Sequence, residues 1–270
     1  MNGRGRPRGR ALVTGVSRGI GKAIAEALSA KGWEVIGTCR APRRLADAQR
    51  VDGVTYLPLD LCSAKSIESL VRRVRSVDVL VNNAATSSIG PAEEISIDGA
   101  RALFEINFFG AVDLTRRMIG PMRRKGGGAV IFIGSMHSEA PSPFKSLYAA
   151  SKAALRSFAE CLRMEVKEYG VRVSLIAPLY IRTTLPQQMH GTATSPYAEA
   201  VRRVHASRER MIASAADATA VSRLLLRILE NPRPRSFYAV GRLAGLQAFL
   251  ARHLPRPIVE AHMARRFNLR

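Results

Sequence analysis

An α/β fold built on a parallel sheet, with helices covering both faces, is predicted by three features of this 270-residue sequence. Short apolar runs alternate with segments of helical period. Each run is a brief, unbroken apolar stretch, as strands buried on both faces require. No internal repeat or second domain interrupts the pattern, so one domain is expected.

In order along the chain, residues 1–9 are rich in Gly, Arg and Pro and read as a disordered basic arm. Ala11-Leu12-Val13 is the first strand, Gly15 to Gly21 a glycine-punctuated turn, and Ile20 to Lys31 a helix. The second strand, Val35-Ile36-Gly37-Thr38, ends at Cys39-Arg40. The third, Val54 to Leu57, ends at Leu59-Asp60-Leu61. A helix through Ile67 to Val74 precedes the fourth strand, Val77 to Val81, and the segment Asn82-Asn83-Ala84-Ala85. Residues 98–125 read as one long helix and Ala129 to Ile133 as the fifth strand. The next helix carries Tyr148 and runs to about Tyr169. Val171 to Ile176 is the sixth strand and Phe237 to Val240 the last.

Composition narrows the function classes. Hydrophobic residues make up 47% of the chain, ample for a large core, yet no run approaches the ~18 apolar residues of a membrane span. Basic residues from Arg4 to Arg10 before Ala-Leu-Val resemble the start of a signal peptide, but Thr14, Gly15, Ser17 and Arg18 cut the apolar region short. Cys39, Cys62 and Cys161 lie far apart, which suits reduced thiols in the cytoplasm. His190, His205, His253 and His262 have no metal-ligand spacing, and no metal is expected. The net charge is +21, and of 42 basic residues only seven are lysine. The 35 arginines are dispersed, without the interleaved aromatics of a nucleic-acid surface, so a solvated surface is the reading and no nucleic-acid partner is expected.

Chemistry concentrates at Tyr148-Ala149-Ala150-Ser151-Lys152. A tyrosine and a lysine four apart share one helix face. An ammonium about 4 Å away, at an effective dielectric of ~20, favours the phenolate by about 4 kcal/mol. Before desolvation that is worth up to ~3 pK units on a phenol near ~10. The pair is therefore a candidate general acid–base. The turn Thr14-Gly15-Val16-Ser17-Arg18-Gly19-Ile20-Gly21 follows a strand and opens a helix. Its glycines let the backbone approach a pyrophosphate, whose charge meets the helix amino terminus. The second strand ends in Cys39-Arg40, where an acidic residue would bind a ribose 2′-hydroxyl. Arg40 with Arg18 would instead clamp a 2′-phosphate, which points to NADP(H).

These residues together resemble the short-chain dehydrogenase/reductase family over roughly residues 10–241. The resemblance implies a Rossmann-type doubly wound parallel sheet. The family's Thr-Gly-x-x-x-Gly-x-Gly is intact at 14–21, which assigns Gly15, Ser17, Arg18, Gly19, Ile20 and Gly21 to the cofactor. Its adenine-binding acidic residue falls on Asp60, beside Leu61. Its Asn-Asn-Ala-Gly segment appears as Asn82-Asn83-Ala84-Ala85, with alanine in place of the glycine. Its Pro-Gly turn becomes Pro178-Leu179, followed by Ile181 and Thr183. The catalytic tetrad falls without departure on Asn107, Ser135, Tyr148 and Lys152; Ser138 is the second choice for the serine. In the implied hydride transfer Ser135 holds the substrate oxygen and Tyr148 protonates it. Lys152 lowers the tyrosine pKa and holds the nicotinamide ribose, and Asn107 relays protons through its backbone. His137 is expected to line the substrate pocket.

The resemblance also makes residues 184–214 a substrate lid, with Leu185, Met189 and Tyr197 as apolar contacts. Residues 242–270 continue past the point where many relatives end. Leu243, Leu246, Phe249 and Leu250, then Ile258, Val259, Met263 and Phe267, have spacings that suit two amphipathic helices. Such an extension resembles the hydroxysteroid and retinol dehydrogenase branch, and it reads as a cover for a bulky lipophilic substrate, a brace, or a peripheral membrane contact. An NADP(H)-dependent oxidoreductase acting on a lipophilic carbonyl or alcohol is the leading expectation. The alternatives are a 3-oxoacyl reductase served by an acyl carrier protein, docking at Arg123, Arg124 and Lys125, and an NADP-binding sensor. A homodimer or homotetramer is implied, through the helices of residues 98–125 and 148–169.

Overall fold

The computed structural model describes residues 8–183, 185–241 and 243–267. In chain order the strands are β1 (Arg10–Thr14), β2 (Glu34–Cys39), β3 (Val54–Pro58), β4 (Val79–Asn82), β5 (Ser87–Ile89) and β6 (Gly128–Ile133), then β7 (Val171–Pro178), β8 (Ile181–Arg182), β9 (Gln187–Met189), β10 (Ala216–Asp217) and β11 (Phe237–Val240). The helices are α1 (Gly19–Ala30), α2 (Ala64–Val74), α3 (Ile97–Phe104), α4 (Gly110–Arg124) and α5 (Ser146–Glu165), then α6 (Ala198–Ala213), α7 (Thr219–Glu230), α8 (Ala244–His253) and α9 (Arg256–Arg266). Seven strands form one sheet in the order β3-β2-β1-β4-β6-β7-β11, every pairing parallel. The doubly wound sheet expected from the sequence is therefore present.

The pleat explains why the runs had to be apolar throughout. Successive side chains of a strand point to opposite faces, and both faces are covered. On β1, Leu12 enters one core while Ala11 and Val13 enter the other. On β6, Val130 and Phe132 go one way and Ala129, Ile131 and Ile133 the other. Helices α2, α4 and α5 cover the first face, and α1 and α7 the second.

Three local differences from the sequence pattern have physical causes. The long helix expected over residues 98–125 contains a π turn, Glu105–Phe109, between α3 and α4. Helical period cannot reveal one inserted residue, and such turns recur at functional sites. The segment expected to be a lid contains a strand, β9, which pairs parallel with β5 through Ser87↔Gln187 and Ile89↔Met189. Gln187-Gln188-Met189 has no apolar alternation to announce it. Of the arm expected over residues 1–9, residues 1–7 lie outside the described residues. Arg8 N–H donates to Gly32 O, and Gly9 O accepts from Glu34 N, so these two continue the β1–β2 edge.

The C-terminal extension forms its two helices, but with a different inner face. Ala244, Ala248 and Ala251 are buried, whereas Leu243, Leu246, Phe249, Leu250 and Ile258 are exposed. The expectation that Leu246, Phe249 and Leu250 shield a substrate is corrected: small side chains let α8 lie close to the domain, which turns the large ones outward. Met263 and Phe267 are buried in a small cluster with Ala140, Val204 and Ala251, with Phe144 and Met211 packed against it. That cluster joins the extension to α6. A buried ion pair reinforces it: Glu139, its side chain 2% exposed, is bound by Arg252 of α8 and by Arg156 of α5. Both guanidinium groups lie over the ring of Phe237. The extension is thus packed against α6 and the loop after Ser135.

Phe267→Ala should remove one apolar anchor worth about 3–5 kcal/mol. Limited proteolysis should then cut residues 243–267 at least about tenfold faster, while circular dichroism of the sheet domain stays nearly unchanged.

Candidate active site

The sheet opens at the carboxyl ends of its strands between β1 and β4, where the strand order reverses. At such a point the connections on either side lead to opposite faces and leave a crevice. Thr14 and Asn83 hold that crevice together. Thr14 Oγ1 accepts from the backbone N–H of Asn83 and of Ala84, each at 2.9 Å. The Asn83 amide donates back to Thr14 O at 2.8 Å and to Gly15 O at 3.2 Å. Glycine is obligatory at 21 because a Cβ there would stand 2.2 Å from Gly15 O. Gly15 has φ +73°, a backbone that side chains disfavour. Helix α1 begins at Gly19 with no side-chain cap on its first turn. Its free N–H groups and positive dipole end suit a phosphate. The glycine cradle and the uncapped helix therefore fit a dinucleotide.

A cavity of about 690 Å³ runs from this turn across the strand ends. Every residue assigned to the cofactor lines it: Gly15, Ser17, Arg18, Gly19, Ile20 and Gly21 from the turn, Arg40 after β2, Asp60 and Leu61 after β3. Asn83, Ala84 and Ala85 form the floor; Tyr148, Lys152, Pro178, Ile181 and Thr183 stand at the far end. Arg18 and Arg40 are exposed, and neither forms an ion pair among the described residues.

At that far end Ser135, Tyr148 and Lys152 meet. Burial pushes the Tyr148 phenol up, while a hydrogen bond with Ser135 and the charge of Arg208 pull it down. Lys152 is buried on the same helix face and donates from Nζ to Ile133 O at 3.0 Å. Burial lowers its pKa to about 8. Arg208, which the spacing did not suggest, is a cation acting on Tyr148. Asn107 sits behind the cavity, on the π turn. Its side chain is spent on Thr86, accepting at 2.9 Å and donating at 2.9 Å, and on Ser151 at 3.1 Å. Only its main chain is left for a relay.

His137 fixes the direction of the serine hydroxyl. Its Nε2 lies 3.3 Å from Nη1 of Arg208, which can only donate, so the ring proton is on Nδ1. Nδ1 lies 3.1 Å from Ser135 Oγ, which also accepts from His137 N–H at 3.2 Å. With both contacts supplying protons, the Ser135 hydroxyl keeps its own to give, and Tyr148 on the cavity wall is its remaining hydrogen-bond partner. Burial, Arg208 and Lys145 keep His137 neutral, its pKa well below 6.5. Ser138 turns away and donates to Ser135 O.

Of the proposed substrate contacts, Ser135, His137, Tyr148 and Leu185 line the cavity. Met189 and Tyr197 do not. Met189 is exposed on β9, and Tyr197 packs its ring against Phe144 at the start of α6. The sequence reading missed Tyr180, Gln187, Arg208 and Ile212 in the wall. Nothing distinguished Arg208 among 35 arginines. Tyr180 follows Leu179, where a glycine was expected, and takes φ 44° itself, a strained backbone for an aromatic residue. Arg266 of α9 lies 5.4 Å from its ring centroid. The basic trio near the end of α4 is partly engaged: Lys125 pairs with Asp78, and Arg123 lies over Tyr169. Among the described residues there is no cluster of metal ligands, and no helix is long and apolar enough to cross a membrane.

Comparison with known proteins points the same way. The family model described as short chain dehydrogenase matches residues 10–193. The chain is 34% identical over 189 residues to Dehydrogenase/reductase SDR family member 7B of Rattus norvegicus, a match covering 64% of this chain and 58% of that protein. It is 35% identical over 188 residues to Uncharacterized oxidoreductase YbbO of Escherichia coli (strain K12), covering 67% and 69%. The matched region spans only 57% to 61% of the member-7 relatives from Drosophila melanogaster, Rattus norvegicus and Danio rerio. Among solved structures, a short-chain dehydrogenase from Streptomyces avermitilis superposes with a TM-score of 0.81 at 31% identity, covering 96% of this chain and 98% of that one. A short chain dehydrogenase from Burkholderia cenocepacia in complex with NADP gives 0.75 at 23% identity, over 95% and 98%, a likeness of fold alone.

The lysine behind Tyr148 gives a pH test. Lys145 is buried, bonded to Ser87 and Gln187, and its pKa falls from 10.5 to about 6 through burial and the charge of Arg208. Between those values the unfolded chain keeps a proton that the folded chain releases, so stability rises with pH. The slope is at most about 1.4 kcal/mol per pH unit for one group. In Lys145→Met, urea unfolding between pH 6 and pH 8 should lose this rise, whatever constant offset the substitution adds.

Proposed function

Because the chain belongs to the short chain dehydrogenase family, we propose that it is an NADP(H)-dependent oxidoreductase. It would transfer hydride between the nicotinamide and a carbonyl or secondary alcohol carbon of a substrate with an apolar body. One observation carries this reading: a single cavity joins the uncapped start of α1 to the Ser135–Tyr148–Lys152 cluster. The uncompensated Arg18 and Arg40 support the choice of NADP(H), since two guanidinium groups beside the ribose site match a 2′-phosphate. Leu185, Ile212 and Pro186 supply apolar wall for the substrate.

Bound dinucleotide would supply the hydride in reduction and accept it in oxidation. The remaining work falls to side chains of this protein. Ser135, its hydroxyl aimed by His137, donates to the substrate oxygen and so fixes the carbonyl's orientation. Tyr148 gives that oxygen its proton in reduction and takes it back in oxidation. Lys152 holds the cofactor's ribose and, with a pKa of about 8, can return a proton to Tyr148. Asn107 keeps the π turn fixed against Thr86 and Ser151. Exposed Phe109 and Met164, on the π turn and on α5, support a homodimer through those helices.

Tyr148→Phe should bind NADPH with nearly unchanged affinity while kcat falls by about a hundredfold or more. Retention of a tenth of the rate would remove Tyr148 from the proton step. Arg40→Asp should weaken NADPH binding by about 1.5–3 kcal/mol and improve NADH. Fluorescence titration of the two cofactors reads this directly, and an unaltered preference would make Arg40 an ordinary surface residue.

A further inference from the structure

We infer that the substrate carries a carboxylate and that Arg208 binds it beside the reacting oxygen. The inference deepens the redox reading above and rests on it. Arg208 lies on α6, a helix half of whose residues are polar, yet it is only 9% exposed and lines the cavity. Its one side-chain hydrogen bond to another residue, among those described, runs to the neutral ring of His137. No carboxylate of the described residues lies within ion-pair distance of it. Glu209, the adjacent acid, also lines the cavity and its charge favours the guanidinium, but its side chain is 61% exposed and lies 3.9 Å from His205, not in an ion pair with Arg208.

The surroundings bring no balancing anion within ion-pair distance of Arg208. Lys145 lies 5.2 Å from the Tyr148 ring centroid, bonded only to the neutral Ser87 and Gln187. Arg266 stands over Tyr180. The phenols of Tyr148 and Tyr180 are both raised by burial and stay protonated. A buried cation without a counter-ion is costly. Elsewhere this chain supplies one: buried Glu139 has two arginines. At Arg208 the counter-ion is left to the ligand. A planar guanidinium with free N–H groups on the cavity side matches a carboxylate in a two-point contact. Arg208 is separated from Ser135 by the width of one imidazole. The carboxylate therefore stands a few bonds from the reacting carbonyl, as in an oxo acid or the matching hydroxy acid. Its apolar remainder would lie along Leu185 and Ile212.

The test uses the full chain saturated with NADPH and a series of oxo acids, each paired with its methyl ester. Thermal shift reads binding, and loss of NADPH absorbance reads turnover. Wild type should prefer acid over ester by at least about tenfold in kcat/KM. Arg208→Gln should raise KM for the acid by about ten- to a hundredfold, the worth of one charged hydrogen-bonded contact, and change the ester less than about twofold. Arg208→Lys should keep part of the preference, which guards against a folding defect in the glutamine variant. Esters that match or exceed their acids in wild type overturn the inference. So does an equal loss for acid and ester with a shifted pH profile, because Arg208 would then act through Tyr148. An acid that stabilises the protein through Arg208 without being reduced refutes the redox reading and leaves the carboxylate site standing. Absence of any Arg208-dependent stabilisation across the series refutes the site itself.

Discussion

The hydrogen bonds between Thr14 and the Asn83–Ala84 segment are the constraint on which the rest depends. Strands β1 and β4 are neighbours, but the chain leaves them toward opposite faces. Backbone groups at that fork lose their sheet partners and must find others. One threonine hydroxyl and one asparagine side chain satisfy them. The fork can then stay open without stranding buried polar groups, and the open fork is the cofactor crevice. Gly15 and Gly21 serve the same arrangement, since the turn and the Asn83 segment approach too closely for a side chain.

A second level of organisation joins the site to the end of the chain. Helix α6 has few large apolar residues of its own to hold it down. It borrows them from the end of the chain, where Met263 of α9 and Phe267 just after it share a cluster with Val204 and Met211. Arg252 reaches across to Glu139 in the loop that follows Ser135. The extension therefore holds both α6 and the loop after Ser135. Its exposed Leu246 and Phe249 are a consequence of packing through alanines.

The two ends of the cavity differ in how charge is managed. At the cofactor end, exposed Arg18 and Arg40 remain hydrated, so their free charges cost little. At the substrate end Arg208 and Lys145 are buried, and each depresses the other's proton affinity or that of His137. Neutral His137 converts the guanidinium's fixed donor character into a fixed orientation of the Ser135 hydroxyl. Positive charge that would be a liability in a closed core becomes useful where a ligand enters.

Much of this was readable in the chain itself. Unbroken apolar runs specify strands buried on both faces, because a pleated strand cannot hide one face only when helices cover two. The glycine turn, the Tyr148–Lys152 spacing and the Asn82–Ala85 segment are local patterns, set within a few residues, so one strand or one helix is enough to place them. What the tertiary structure decided involves residues brought together from far apart. Arg208 meets His137 across 71 positions and Arg252 meets Glu139 across 113. Neither pairing leaves a periodic trace. The inner face of α8 was also undecidable, since alanines and leucines both satisfy an apolar period and only the distance to the neighbouring surface selects the smaller ones. The sequence determined the sheet and the Tyr148–Lys152 face by local pattern; folding decided which arginine is buried, because burial depends on what else arrives at the same place.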